Sequence, residues 1–136
     1  MSDPQVTAET RRWLQYARED LAEAARILDQ QRPVWRHACW FAQQAAEKAL
    51  KAGLVFVQTD FPRTHDLARL RNLLPKSWTT RQARADLAGL TEWAVESRYP
   101  GDWAETTRAE AESAIESARA VLSAITVDLR DSGFEA

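Results

Sequence analysis

The residues best suited to chemistry stand around a break in the chain. In SRYPGDW, residues 97–103, Arg98 and Tyr99 precede Pro100 and Gly101. A Pro-Gly pair turns the backbone by itself and needs no arginine beside it. A guanidinium at the mouth of a helical elbow is suited to bidentate contact with phosphate. Tyr99 and Trp103 flank the turn, where an aromatic ring can stack on a base or wedge the elbow against a core.

Charge is unevenly spread. The whole chain of 136 residues carries a formal net charge of −2, which is not the balance of a general polyanion binder. Between Arg63 and Arg84, however, stand six cations against the single acid Asp66, and from Gly101 onward eight acids stand against three arginines. A basic zone opposite an acidic helix fits a nucleic-acid or phosphate contact on one side, with Arg63 a candidate to support it; solvated helix faces give such runs too.

The other candidates have plainer uses. His65, in THDL, reads as a residue that caps or packs a short helix, and Glu47 with Lys51 reads as a surface pair four residues apart, worth a few tenths of a kcal/mol. The single cysteine, Cys39, lies in the apolar run HACWFA and reads as a small buried hydrophobe. No Cys/His spacing and no inward Glu-x-x-His pair provides for a metal, and no cofactor motif appears.

These residues need helices to position them. With 45% apolar residues but only 4 Gly and 5 Pro, the composition predicts one all-α domain over 1–136. Trp13, Leu14, Ala17, Leu21, Ala24, Ala25 and Leu28 recur at steps of three and four, predicting a first helix over about 8–30. A second, about 34–57, carries an alanine seam from Ala38 to Ala52 and begins behind Pro33. Thr64 opens a short helix that Pro75 closes. A fourth runs from Thr79 or Thr80 to about Ser97, and a fifth from about Trp103 to Arg130, with Asp102 and Glu105 as a capping box. The expected architecture is an up-and-down four-helix bundle with an additional short helix. No apolar run nears the ~20 residues that span a bilayer, and the N-terminus lacks a basic-then-hydrophobic leader, so a cytoplasmic protein is expected. Trp13, Trp35, Trp40, Trp78 and Trp93 are assigned to core or subunit contacts.

FAQQAAEKALKAGL, then RTHDLARL, then SRYP before a final helix resembles, in that order, the HEPN family, the higher eukaryotes and prokaryotes nucleotide-binding domains. The resemblance implies a four-helix bundle with an extra short helix, commonly a homodimer, binding RNA or nucleotide. It also implies a metal-independent endoribonuclease or one half of a toxin–antitoxin-like pair with a small nucleotidyltransferase. In active relatives an arginine precedes a histidine by four to six residues near the start of the last long helix. Arg98 matches the arginine, while positions 103, 104 and 105 hold Trp, Ala and Glu, leaving ribonuclease activity open. Arg32 and His37, in RPVWRH, have the spacing at another place in the chain. If the helix 1–2 junction and the elbow share one end of the bundle, His37 would supply the missing imidazole to Arg98. The competing expectation is a non-catalytic helical module for dimerisation and protein interaction.

Overall fold

The computed structural model describes residues 3–83, 85–94 and 105–135, and all regular structure among them is helical. Helix α1 (Pro4–Leu28) opens behind Asp3, whose side chain accepts from the Gln5 N–H at 2.8 Å, with Pro4 where no backbone donor is required. Helix α2 (Trp35–Phe56) is the central strut. Its Ala38, Ala42, Ala45, Ala46, Ala49 and Ala52 are fully buried. Gly53 continues the seam so tightly that a Cβ there would lie 3.0 Å from Ile125 Cδ1 and 3.0 Å from Leu74 Cδ2.

The directions of the helices follow from a few contacts. The Lys48 ammonium pairs with Asp20 and the Lys51 ammonium lies 5.6 Å from the centre of the Trp13 ring, so α1 and α2 are antiparallel. Helix α5 (Arg108–Asp131) runs parallel to α2. At one end the Arg108 guanidinium sits 5.5 Å from the Trp35 ring, and at the other Phe134 meets Phe56 edge-on at 5.9 Å. The crossover between them holds α3 (Leu67–Arg71), a 3-10 turn (Thr79–Gln82) and α4 (Leu87–Glu92). The result, among the described residues, is an all-α bundle of the long helices α1, α2 and α5, with the short helices α3 and α4 in the crossover.

Both long helices that reach this far pole end in the same way. After α2 the Thr59 N–H bonds to the Leu54 carbonyl at 3.0 Å and the Gln58 N–H to Val55 at 3.1 Å, around Gln58 at φ 56°. After α5 the Phe134 N–H bonds to Leu129 at 2.9 Å and the Gly133 N–H to Arg130 at 3.1 Å, around Gly133 at φ 96°. Each is a Schellman turn, which satisfies the last carbonyls by passing one residue through the left-handed region.

Several boundaries differ from the sequence expectation: α1 already begins at Pro4, and Asp66 rather than Thr64 caps α3. The fourth helix is not continuous from residue 80: a 3-10 turn and the six-residue α4 take its place within the described residues. The Thr79 and Thr80 N–H groups go to the Asp128 carboxylate, at 2.9 and 2.8 Å, and Asp86 caps a fresh start by accepting from the Gly89 N–H at 2.8 Å. Helix α5 begins five residues later than expected, after Thr107. The Thr107 hydroxyl accepts from the Glu110 N–H and the Glu110 carboxylate accepts from the Thr107 N–H, a closed reciprocal box that fixes the first turn. Asp102, the expected cap, lies outside the described residues.

Cys39 is fully buried, as expected of a small hydrophobe, and Trp78 is part of the core. Trp13, Trp35 and Trp93 pack against the core at its edge, whereas Trp40 is 44% exposed and touches Phe41 edge-on. No helix among the described residues is long and apolar enough to cross a membrane.

Candidate functional site

One face of α2 carries Gln43, Glu47 and Lys51 at successive steps of four, which places the three side chains in a row. The row is not the solvated pair expected from the sequence. Glu47 keeps only 6% of its side chain exposed, and all its partners converge there. Lys51 Nζ donates to Glu47 Oε2 at 3.0 Å, and Gln43 Nε2 donates to Oε1 at 3.1 Å. His65 Nδ1 lies 2.7 Å from that same Oε1. Gln44 Nε2 in turn donates to Gln43 Oε1 at 2.6 Å, fixing the orientation of the amide.

Burial alone would push the Glu47 carboxyl above its ordinary range. The hydrogen bonds from His65, Gln43 and Lys51 and the Lys51 charge outweigh that, and Glu47 is held below it as a carboxylate. A carboxylate only accepts, so the hydrogen on His65 is on Nδ1. The ring is 63% exposed, and the lone pair of that tautomer is on Nε2. Lys51 is held from the other side by the rings of Trp13 and Phe61, each centre 5.6 Å from Nζ.

The loop that presents His65 is tied down on both sides. The Thr64 hydroxyl accepts from the Asp66 N–H at 3.1 Å, and Asp66, not His65, caps α3 by accepting from the Arg69 N–H at 3.2 Å. The Leu67 N–H donates to Thr91 Oγ1 at 3.1 Å, which joins the loop to α4. The described part of the chain after α4 ends three residues beyond that bond, at Ala94.

Of the residues singled out from the sequence, Arg98 and Tyr99 lie outside the described residues. His37 is exposed in the first turn of α2, where its N–H donates to the Val34 carbonyl at 3.0 Å. Arg63 is exposed in the loop two residues before His65. Ten residues of α2 separate His37 from Glu47, an axial distance of about 15 Å, so the two histidines belong to different parts of the strut. The Trp35 contact with Arg108 does bring the start of α2 to the start of α5. Within the basic zone, Arg81 is already engaged, donating to the Asn72 and Leu74 carbonyls at 2.9 Å.

An open cleft of about 340 Å³ lies between α4 and the first half of α5, lined by Asp86, Glu92, Trp93, Glu110 and Ser113 among others, with no cation among its described lining residues. Asp86 and Glu110 are helix caps there, and the acidic lining disfavours phosphate. No group of three or more His, Cys, Asp or Glu side chains among the described residues is arranged to hold a metal ion.

Comparison with known proteins agrees with this arrangement. Two solved structures are similar along most of their length. TT1696 from Thermus thermophilus is 28% identical, with 88% of this chain and 98% of that one covered at a TM-score of 0.72. ST0689, described as an archaeal HEPN homologue, is 26% identical, with 87% and 95% covered at 0.66. No protein with a curated description matches the chain. The pattern of the HEPN domain matches residues 10–128, from the second turn of α1 to the Asp128 clamp near the end of α5. The polar row of α2, the His65 loop and the crossover all fall inside that span, and the chain belongs to the HEPN domain family.

Proposed function

We propose that the protein binds RNA or a nucleotide as a homodimeric HEPN protein, one half of a toxin–antitoxin-like pair with a small nucleotidyltransferase. The observation that carries this reading is the family match across residues 10–128. In it Arg98 grips a phosphate, Tyr99 supports the adjoining base, and Arg63 adds positive charge from the loop before α3. His37 is one candidate imidazole for this reading, on the first turn of α2, whose start meets the start of α5 at Trp35 and Arg108.

Fluorescence anisotropy with labelled single-stranded RNA and with nucleotides tests it, using wild type, Arg98→Ala and Arg63→Ala. Expected is binding that weakens with salt and drops at least tenfold in Arg98→Ala. Wild type that binds neither ligand ends the reading. Loss of RNA cleavage in His37→Ala alone would assign the imidazole role to His37.

A second reading is a non-catalytic interaction module. The exposure of Trp40 (44%) and Tyr16 (45%) favours it, because large aromatics left on helix surfaces suit a partner chain. Partner capture that survives Arg98→Ala but fails in Trp40→Ala would support this reading.

A further inference from the structure

The Glu47–His65 pair is built differently from a structural ion pair. Glu47 is nearly sealed from solvent, and Lys51 and Gln43 already answer its charge and its lone pairs. His65 adds a third donor from a ring that remains 63% exposed, so little of the imidazole itself is packed away. A buried carboxylate on Nδ1 fixes the tautomer and stabilises the imidazolium once Nε2 takes a proton. That is the equipment of a proton-transfer group.

The cluster also limits the chemistry. Glu47, Lys51, Gln43, Gln44 and His65 include no hydroxyl or thiol, and the nearby Thr64 hydroxyl is engaged with the Asp66 N–H. A base without a protein nucleophile acts on water or on a substrate that carries its own, and the second needs no further bound molecule. The flanking side chains Arg63 and Arg69 are cations outside the core. A phosphodiester with an adjacent hydroxyl, the ribose 2′-OH of RNA, meets both conditions.

We propose that His65, positioned by Glu47, is the catalytic base of an RNA-cleaving site and supplies the imidazole that residues 103–105 do not. The proposal rests on the reading that this protein binds RNA. His65 Nε2 takes the 2′-OH proton as the 2′-oxygen bonds to phosphorus, and the phosphorus–O5′ bond breaks. The departing 5′-oxygen takes a proton from water, the imidazolium returns its own to the hydroxide so formed, and the products are a 2′,3′-cyclic phosphate and a 5′-hydroxyl. Glu47 touches no substrate and acts as a positioning residue.

The experiment uses the full chain with an end-labelled oligoribonucleotide, and compares wild type, His65→Gln, Glu47→Gln and His37→Ala. Expected for His65→Gln is cleavage slower by about 100-fold or more, with RNA affinity unchanged. For Glu47→Gln kcat falls while KM stays near the wild-type value, because an amide that can turn its NH2 toward the ring no longer fixes its tautomer and orientation. A 2′-deoxy nucleotide at the cut site blocks the reaction, and nitrogen-15 spectra place the neutral-state hydrogen of His65 on Nδ1. Wild type that binds RNA without cutting it, or His65→Gln that cuts like wild type, overturns the proposal while leaving RNA binding intact. Absence of RNA binding overturns both. Loss of cutting in His37→Ala with full activity in His65→Gln moves the role to the other end of α2.

Discussion

The Thr80 hydroxyl donates to Asp128 Oδ2 at 2.6 Å, and the Thr80 N–H reaches the same oxygen at 2.8 Å. Thr79 repeats the arrangement on Oδ1, with its N–H and its hydroxyl both at 2.9 Å. One carboxylate on α5 therefore gathers four donors from two consecutive residues and ties the 3-10 turn to the bundle. Asp128→Ala leaves those donors without their acceptor, and should lower stability by about 2–4 kcal/mol. Asp128→Asn, which keeps one acceptor oxygen, should lose less. Urea unfolding midpoints at neutral pH distinguish the two.

Acid should weaken the fold through two identified groups. Burial pushes the Asp128 carboxyl up, but the hydrogen bonds from Thr80 and Thr79 prevail and hold it below its ordinary value; Glu47 is held low by its own partners. A carboxylate depressed in the folded state contributes stability that is complete above the unfolded value, near pH 4, and is lost as pH falls through the folded one. Melting temperature should fall steeply below about pH 4 in wild type. In a Glu47→Gln, Asp128→Asn double variant it should start lower and change less.

Lys51→Met removes the charge that answers Glu47 and leaves a buried carboxylate with two neutral donors. The expected cost is about 2–4 kcal/mol, although methionine fills the space between Trp13 and Phe61. Adding Glu47→Gln should restore part of the loss. The coupling between the two positions, read from a double-mutant cycle by chemical denaturation, is the measured quantity.

Gln58 occupies a left-handed conformation that costs a side-chain-bearing residue about 1 kcal/mol, and Gly133 fills the equivalent place after α5 without that cost. Gln58→Gly should raise the unfolding free energy by roughly 0.5–1 kcal/mol, part of the gain being cancelled by a freer unfolded chain. A fall in stability would show that the Gln58 side chain contributes more than its backbone strain removes.

The stripes that define α1, α2 and α5 were legible because each long helix buries one face, and apolar residues at steps of three and four record it directly. Helix α4 was not, because its competitor is remote: the Thr79 and Thr80 donors go to Asp128, 48 or more residues away, and no local pattern reveals that claim. For the start of α5 the sequence points to Asp102 with Glu105, whereas the reciprocal bonds are made by Thr107 and Glu110 five residues on, a second pair of the same type that only the geometry distinguishes. At the site, Glu47 and Lys51 were visible as a pair, but their depth was not. The Trp13 and Phe61 rings that flank Lys51 come from other elements, and the third partner of Glu47, His65, arrives from 18 residues beyond it around the turn at Gln58. A glutamate inside an otherwise alanine-rich buried seam was the available signal.

The Arg11 guanidinium donates to the Glu135 carbonyl at 3.0 Å, which brings the first helix's opening turns to the chain's last described residue. A fluorophore or tether attached at Gln5 or Glu135, both exposed, would hang from the same pole, next to Phe56 and Phe134. Immobilised in this way, the molecule would stand with Trp35, His37 and Arg108 pointing away from the support, so a surface-binding assay would sample that distal cap without obstruction.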